Sequence, residues 1–166
     1  MPAAGDGAPC AAARRRRPCT ASSDVVSTDF EQTLSTDLGA IPALADAFAE
    51  WAEEAGVAAG TVFQVNLALE ELITNVILHG LGPGAPGRIS LRVRRQDDVL
   101  EMELRDDAPP FDPFQLPPPV LTQGIEEREV GGLGVHFVRT LMDEWHYARE
   151  DGHNLVRLRK VLEAAP

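Results

Sequence analysis

One stretch constrains this chain more than any other: Leu67-Ala68-Leu69-Glu70-Glu71-Leu72-Ile73-Thr74-Asn75-Val76-Ile77-Leu78-His79-Gly80. Val62, Val65, Leu69, Leu72, Ile73 and Val76 recur at helical spacing and draw one apolar stripe, which predicts a helix over about 61–79 lying on a core. Glu71 and Asn75 are four residues apart, so they share a face one turn apart. At about 100° per residue that face falls roughly opposite the stripe. Two readings of the pair are open. It is a solvated face, as exposed Glu and Asn usually are. Or the carboxylate accepts a proton while the carboxamide oxygen holds a hard cation such as Mg²⁺. The stretch alone favours the first; the rest of the chain bears on the choice.

The stretch has room to pack. The 166 residues suffice for one domain with a proper core, and 44 % hydrophobic with 25 % charged residues is a globular profile. No run approaches the roughly 18 consecutive apolar residues of a membrane span. Residues 1–23 are rich in Ala, Gly, Pro and Arg without periodicity and read as a disordered tail. Arg14-Arg15-Arg16-Arg17 has no apolar segment after it, so it makes a poor export signal, and the expected location is the cytoplasm.

Charge excludes a class of partner. The formal net charge is −11, and Asp6 with the four tail arginines lies before Thr20; the remaining body holds 11 basic and 25 acidic side chains, a balance of −14. Such a body repels a phosphate backbone, which argues against nucleic acid. Both cysteines, Cys10 and Cys19, are in the tail, so neither a disulfide framework nor a zinc site is implied. His79, His136, His146 and His153 show no metal-ligand spacing, and His79 suits the end of its helix. Lys160 is the only lysine, which excludes a phosphate-binding loop of the Gly-Lys-Ser type.

In chain order, residues 25–34 predict a first strand and Asp37 a helix cap. Ile41, Leu44, Phe48, Trp51 and Ala55 keep helical spacing, and Gly56 is a natural stop. After the central helix, Gly80, Gly82, Pro83, Gly84, Pro86 and Gly87 form a loop. Ile89, Leu91 and Val93 alternate with Arg88, Ser90, Arg92 and Arg94, and Leu100, Met102 and Leu104 with Glu101, Glu103 and Arg105. This predicts a hairpin whose outward arginine row faces an outward glutamate row. The second strand runs into Asp106-Asp107-Ala108-Pro109-Pro110-Phe111-Asp112-Pro113. Residues 114–130, with Pro117-Pro118-Pro119 and Glu126-Glu127-Arg128-Glu129, read as a mobile loop. Gly131-Gly132-Leu133-Gly134 then opens a short helix, where glycines let backbone N–H groups approach phosphate oxygens. Two strands, about 144–149 and 155–161, close the chain around an Asp151-Gly152 turn. The expected architecture is α+β: a two-layer sandwich, a mixed sheet with helices on one face.

Three elements stand in line: Glu71-x-x-x-Asn75, Asp106-Asp107-Ala108-Pro109-Pro110-Phe111, and Gly131-Gly132-Leu133-Gly134. Together they resemble the N, G1 and G2 boxes of the GHKL ATPases, the superfamily of gyrase B, histidine kinases and MutL. The short form Asp-Asp-x-Pro-Pro-Phe and the run from Gly134 to Glu144 are similar to the bacterial anti-sigma-factor serine/threonine kinases, the RsbW-like branch. The resemblance covers about residues 25–162, and a histidine kinase-like ATP-binding domain is expected over 24–163.

The resemblance implies ATP and Mg²⁺ as cofactors and a role for each residue. Glu71 matches the general base that takes the proton from a substrate serine, and Asn75 the Mg²⁺ ligand. Asp106 matches the acceptor of the adenine amino group. Gly132 and Gly134 match the lid-hinge glycines; Ala108 lines the pocket, and Arg128 can reach a phosphate or pair within its own acidic run. Two positions depart from the pattern. Ala108 stands where the superfamily has Gly, raising the pocket floor. Asn154 stands where many relatives have Thr, removing a pocket-wall hydroxyl. The implied function is a kinase acting on a serine of a STAS-type anti-anti-sigma protein, with a sigma factor as a further partner and a homodimer as the expected assembly. The alternative is a nucleotide-binding module that sequesters its partner without transferring phosphate. An α/β domain without a ligand would leave the three motifs as coincidence.

Overall fold

The computed structural model describes residues 29–115 and 133–162. The tail, the start of the first predicted strand, most of the predicted loop, Arg128 and Gly132 lie outside the described residues. The first strand, β1, is Asp29–Leu34. Two helices follow, α1 (Ala40–Glu54) and α2 (Ala59–Asn75), and α2 continues into a π-helical segment, Val76–Leu81. Next come β2 (Ile89–Gln96) and β3 (Val99–Asp106), a 3-10 turn at Pro113–Gln115, α3 (Leu133–Leu141), β4 (Glu144–Glu150) and β5 (His153–Val161).

The strands form one sheet in the order β1-β2-β3-β5-β4. The two-layer α+β expectation holds. The mixed sheet does not: every described pairing is antiparallel. The connections explain this. One helix between neighbouring strands returns the chain for a parallel pair, whereas two helices, as between β1 and β2, deliver the next strand in the opposite sense. The β2–β3 and β4–β5 links are tight turns, and Asp97 (φ 52°), Asp151 (φ 49°) and Gly152 (φ 79°) take the left-handed conformation these need.

The core lies between the helices and one sheet face. Phe48, Leu69, Ile73, Ile77, Ile89, Leu91 and Leu100 are all at most 1 % exposed. Phe30 meets Phe48 and Trp51 at ring-centroid distances of 5.9 and 5.8 Å, so both aromatics of α1 are core residues as expected. Segment Ala59–Leu81 reaches the length and mean hydropathy (1.2) of a membrane span. Its buried stripe of Val65, Ala68, Leu69, Leu72 and Ile73 and its paired Glu70-Glu71 mark it instead as the central helix of a globular core. Asp37 is not the cap of α1. That position is Gly39, whose N–H donates to Asp37 Oδ1 at 2.9 Å, so the carboxylate closes the turn before the helix. Gly56, at φ 71°, ends the α1 region as expected.

The other sheet face is polar, and its register extends the predicted hairpin ladder across all five strands. Glu31, Arg92, Glu103, Arg157 and His146 form one cross-strand row, and Asp29, Arg94, Glu101, Arg159 and Glu144 the next. Signs alternate along the charged members of both, with His146 ending the first row. Arg92 pairs with Asp29 (2.7 Å) and Glu31 (3.1 Å), Arg157 with Glu103 and Glu150 (both 3.3 Å), and Arg159 with Glu144 (2.5 Å).

Candidate functional site

The site lies where α2 crosses the end of β3. Asn75 is the last residue of α2, and Asp106 is the last of β3. Together with Leu72, Val76, Gly80, Ala108, Phe111, Pro113 and Asn154 they line one pocket between the two layers. The helix changes from α to π winding immediately after Asn75, and Gly82 N–H donates to Ile77 O at 2.8 Å to close the segment. Such wide turns occur mostly as interruptions of helices, often at functional sites.

The sequence pattern placed the Glu71–Asn75 face opposite the buried stripe. In the fold it is covered. Asn75 is 8 % exposed and Glu71 is half-buried, because α3 packs along that side of α2. The Asn75 amide forms no hydrogen bond to a described residue, and its Nδ2 is fully buried and unpaired. A buried donor left without a partner costs roughly 1–3 kcal/mol, so an orphan of this kind calls for an explanation. Glu71 has neither an ion pair nor a hydrogen bond among the described residues. Burial, and secondarily the neighbouring Glu70 charge, push its carboxyl above the ordinary range.

Gly134, the second residue of α3, explains how the carboxylate fits. A Cβ at this position would overlap the Glu71 carboxylate, with Glu71 Cδ at 2.9 Å and Cβ at 3.1 Å. Only glycine lets α3 approach so closely. The structure thus brings Glu71, Asn75, Asp106, Ala108 and Gly134 to one region.

Asp106 is 3 % exposed. Its Oδ1 accepts from Ala108 N–H (3.0 Å) and Asn154 Nδ2 (2.7 Å), while Oδ2 accepts from no described residue. Burial raises its carboxyl, and the hydrogen bonds from Asn154 and Ala108 and the nearby Arg149 charge oppose that rise. Ala108 is part of the pocket lining and packs on α2's continuation. Its methyl lies against Gly80, where a Cβ would come within 2.9 Å of Ala108 Cβ; the room taken at one position is left free at the other.

Asn154 is the residue that sequence reasoning undervalued. It is 3 % exposed and stands opposite Asp106 in the β3–β5 register. Beyond Asp106, its Nδ2 donates to Pro109 O (3.1 Å) and Ala108 O (3.3 Å). Its Oδ1 accepts from Arg149 Nη1 (2.8 Å), Tyr147 Oη (2.9 Å) and Phe111 N–H (3.4 Å). Arg149 also donates to Ala108 O at 2.8 Å. One amide therefore fixes the course of the proline-rich turn. The available signal was parity: in β5, Asn154 occupies the inward row shared by Val156 and Leu158.

The donor set fits a magnesium nucleotide. Asn75 Oδ1 is an oxygen ligand for a hard cation, Asp106 Oδ2 is a free acceptor in the pocket, and Leu72, Val76 and Phe111 supply apolar walls. Comparison with known proteins identifies the family of the domain. The histidine kinase-like ATPase domain matches residues 34–160. The chain is 29 % identical over 96 residues to the serine/threonine-protein kinase BtrW of Bordetella bronchiseptica, covering 58 % of this chain and 68 % of that one. It is 26 % identical over 116 residues to the serine-protein kinase RsbW of Listeria innocua, covering 68 % and 74 %. Its fold matches the crystal structure of the RsbU and RsbW domains of Rv1364c from Mycobacterium tuberculosis with a TM-score of 0.59 at 16 % identity, over 82 % of this chain and about a third of that one (33 %). With the match spanning residues 34–160, most of its length, the chain belongs to the histidine kinase-like ATPase domain family.

Proposed function

We propose that this protein is an ATP- and Mg²⁺-dependent serine/threonine kinase that acts as an anti-sigma regulatory factor, phosphorylating a serine of a STAS-type anti-anti-sigma partner and holding a sigma factor by its surface. The ATP-binding domain spans residues 24–163, and the working form is a cytoplasmic homodimer. The observation that carries the reading is the pairing of a half-buried Glu71, without a partner among the described residues, with the Asn75 amide, orphaned among the same residues, one helical turn away.

Bound Mg²⁺ would neutralise charge on the triphosphate, which matters in a chain with a single lysine. The protein's own part is positioning. Asn75 Oδ1 would hold the cation, Asp106 Oδ2 would accept from the amino group of the base, and Gly134 keeps the start of α3 close to Glu71. Glu71 would accept the proton of the serine hydroxyl as that hydroxyl oxygen bonds to the γ-phosphorus and the bond from this phosphorus to the β–γ bridging oxygen breaks, ADP leaving; its raised proton affinity suits a base. Gly132 and Arg128 are assigned to the lid and the phosphates. The Ala108 methyl packs against Gly80 and the Asn154 amide bonds Asp106, which is compatible with nucleotide binding in either reading; the half-buried Glu71 carboxylate is what favours transfer over a purely sequestering module.

Calorimetric titration of the full chain with ATP, with and without Mg²⁺, tests this. Binding that requires Mg²⁺ and is lost in Asn75→Ala is expected. Absence of binding under both conditions would overturn the nucleotide site.

A further inference from the structure

The Asn154 amide is held at both ends. Its carbonyl accepts three donors from two different segments: the Tyr147 and Arg149 side chains of β4 and the Phe111 backbone of the proline-rich turn. Rotating the amide by half a turn would set its NH₂ against those donors and its oxygen against Asp106 and two carbonyls. The amide therefore has one available orientation, in which Nδ2 donates to Asp106 Oδ1 at 2.7 Å, its shortest contact, beside Pro109 O and Ala108 O. With Ala108 N–H on the same oxygen at 3.0 Å, all described donors to this carboxylate fall on one side, and the other oxygen remains for the pocket. A threonine hydroxyl could supply one donor to Asp106 but could not also tie Pro109 O, Tyr147 and Arg149.

We propose that Asn154 is the positioning residue that makes this pocket select a 6-aminopurine nucleotide over a 6-oxopurine one, by holding Asp106 as a one-sided acceptor. The inference rests on the nucleotide reading above and deepens it. An ionised carboxylate only accepts, so it bonds an exocyclic amino group and repels a carbonyl oxygen. A protonated carboxyl can donate, and would then tolerate a 6-oxo group. Selectivity thus depends on keeping the proton off Asp106 despite its burial. The charged groups that act on it are Arg149 from β4, which favours the anion, and adjacent Asp107, which opposes it; Asn75 from α2 is neutral. Asn154 adds the largest opposition to desolvation, and its carbonyl is polarised by the Arg149 guanidinium. The network thereby links the edge strand β4 to the choice of base.

The test compares ATP and GTP affinity across pH for the full-length wild type, Asn154→Ala and Asn154→Thr, with a ¹³C-carboxyl titration of Asp106 in the nucleotide-free proteins. Wild type is expected to prefer ATP at least about tenfold. Asn154→Ala should lose most of that preference, and its ATP affinity should begin to fall at a higher pH than in wild type. Its Asp106 should also titrate at a higher pH, a change that a merely structural role would not produce. Asn154→Thr, which keeps one donor, should retain part of the preference. A folded Asn154→Ala with unchanged preference and unchanged Asp106 titration overturns the proposal. Should Asn154→Ala not fold, Tyr147→Phe takes its place: removing one donor from the Asn154 carbonyl should lower the preference, and no change would count against the proposal. A wild type that binds neither nucleotide overturns the nucleotide reading, whereas loss of this inference alone leaves ATP binding intact.

Discussion

The two faces of the sheet hold their polar groups in opposite ways. On the open face, nine charged side chains and one histidine stand in two rows of alternating sign, largely exposed, with Arg92, Arg157 and Arg159 each meeting a carboxylate. On the helix side, at the end of β3, there are few polar groups, they are buried, and two of them lack full satisfaction: the Asn75 amide and the outer oxygen of Asp106. Water already solvates the first set, so pairing changes little. Nothing in the described fold compensates the second set, and chemistry can be seated there. Abundance of charge marks a surface; scarcity of partners marks a site.

The largest effect should come from the helix side. Glu71→Ala is expected to lower phosphoryl transfer to a serine substrate by about 10²- to 10⁴-fold, the usual worth of a general base, while ATP still binds. A radiolabel transfer assay beside calorimetry reads both, and undiminished transfer would remove Glu71 from the role of base. Next in size, Asn75→Leu should stabilise the nucleotide-free fold by up to about 1–3 kcal/mol, because it deletes a buried, unpaired donor at similar volume. Urea denaturation measures this; a clear destabilisation would mean that the amide is satisfied after all and would weaken the contrast between the faces.

Smaller still is the effect of Glu71→Gln on melting temperature. The folded state raises the Glu71 carboxyl above its unfolded value of 4.5, so its penalty is fully present above the raised value and disappears as pH falls toward 4.5. The Gln variant should therefore melt higher than wild type near neutral pH, and the two should converge in acid. The smallest change belongs to the open face. Arg157→Ala, although it breaks contacts to both Glu103 and Glu150, should cost no more than about 1 kcal/mol and less in high salt. A larger loss would show that the rows act as a network and would erase the distinction drawn above.

Much of this was legible in residue order, and the part that was not has a common cause. Short-range periodicity gave α2, the β2–β3 hairpin with its arginine and glutamate rows, the tight turn at Asp151-Gly152, and Phe48 and Trp51 as core. It misjudged whatever depends on a distant partner. The Glu71–Asn75 face looks outward on a helical wheel, and only α3, brought back after a long connection, buries it. Asn154 looks like a missing hydroxyl until the β3–β5 register sets it opposite Asp106. Parallel or antiparallel pairing turns on how many helices lie between neighbouring strands, which strand patterns do not encode. The π-helical winding at Val76–Leu81 has no counterpart in the apolar spacing, which continues smoothly through it.

The contact between Ala108 and Gly80 has a consequence for how such a chain can change over generations. The two backbones leave space for one methyl group between them, and here position 108 holds it. Replacing Gly80 by Ala in this background meets a fixed Cβ rather than a flexible side-chain end, so the substitution is barred while Ala108 stands. In a background where Ala108 has first become Gly, the same step is open. The order of two individually modest substitutions thus decides which descendants of this sequence can be reached, and the pair should show strong epistasis although neither residue performs any chemistry.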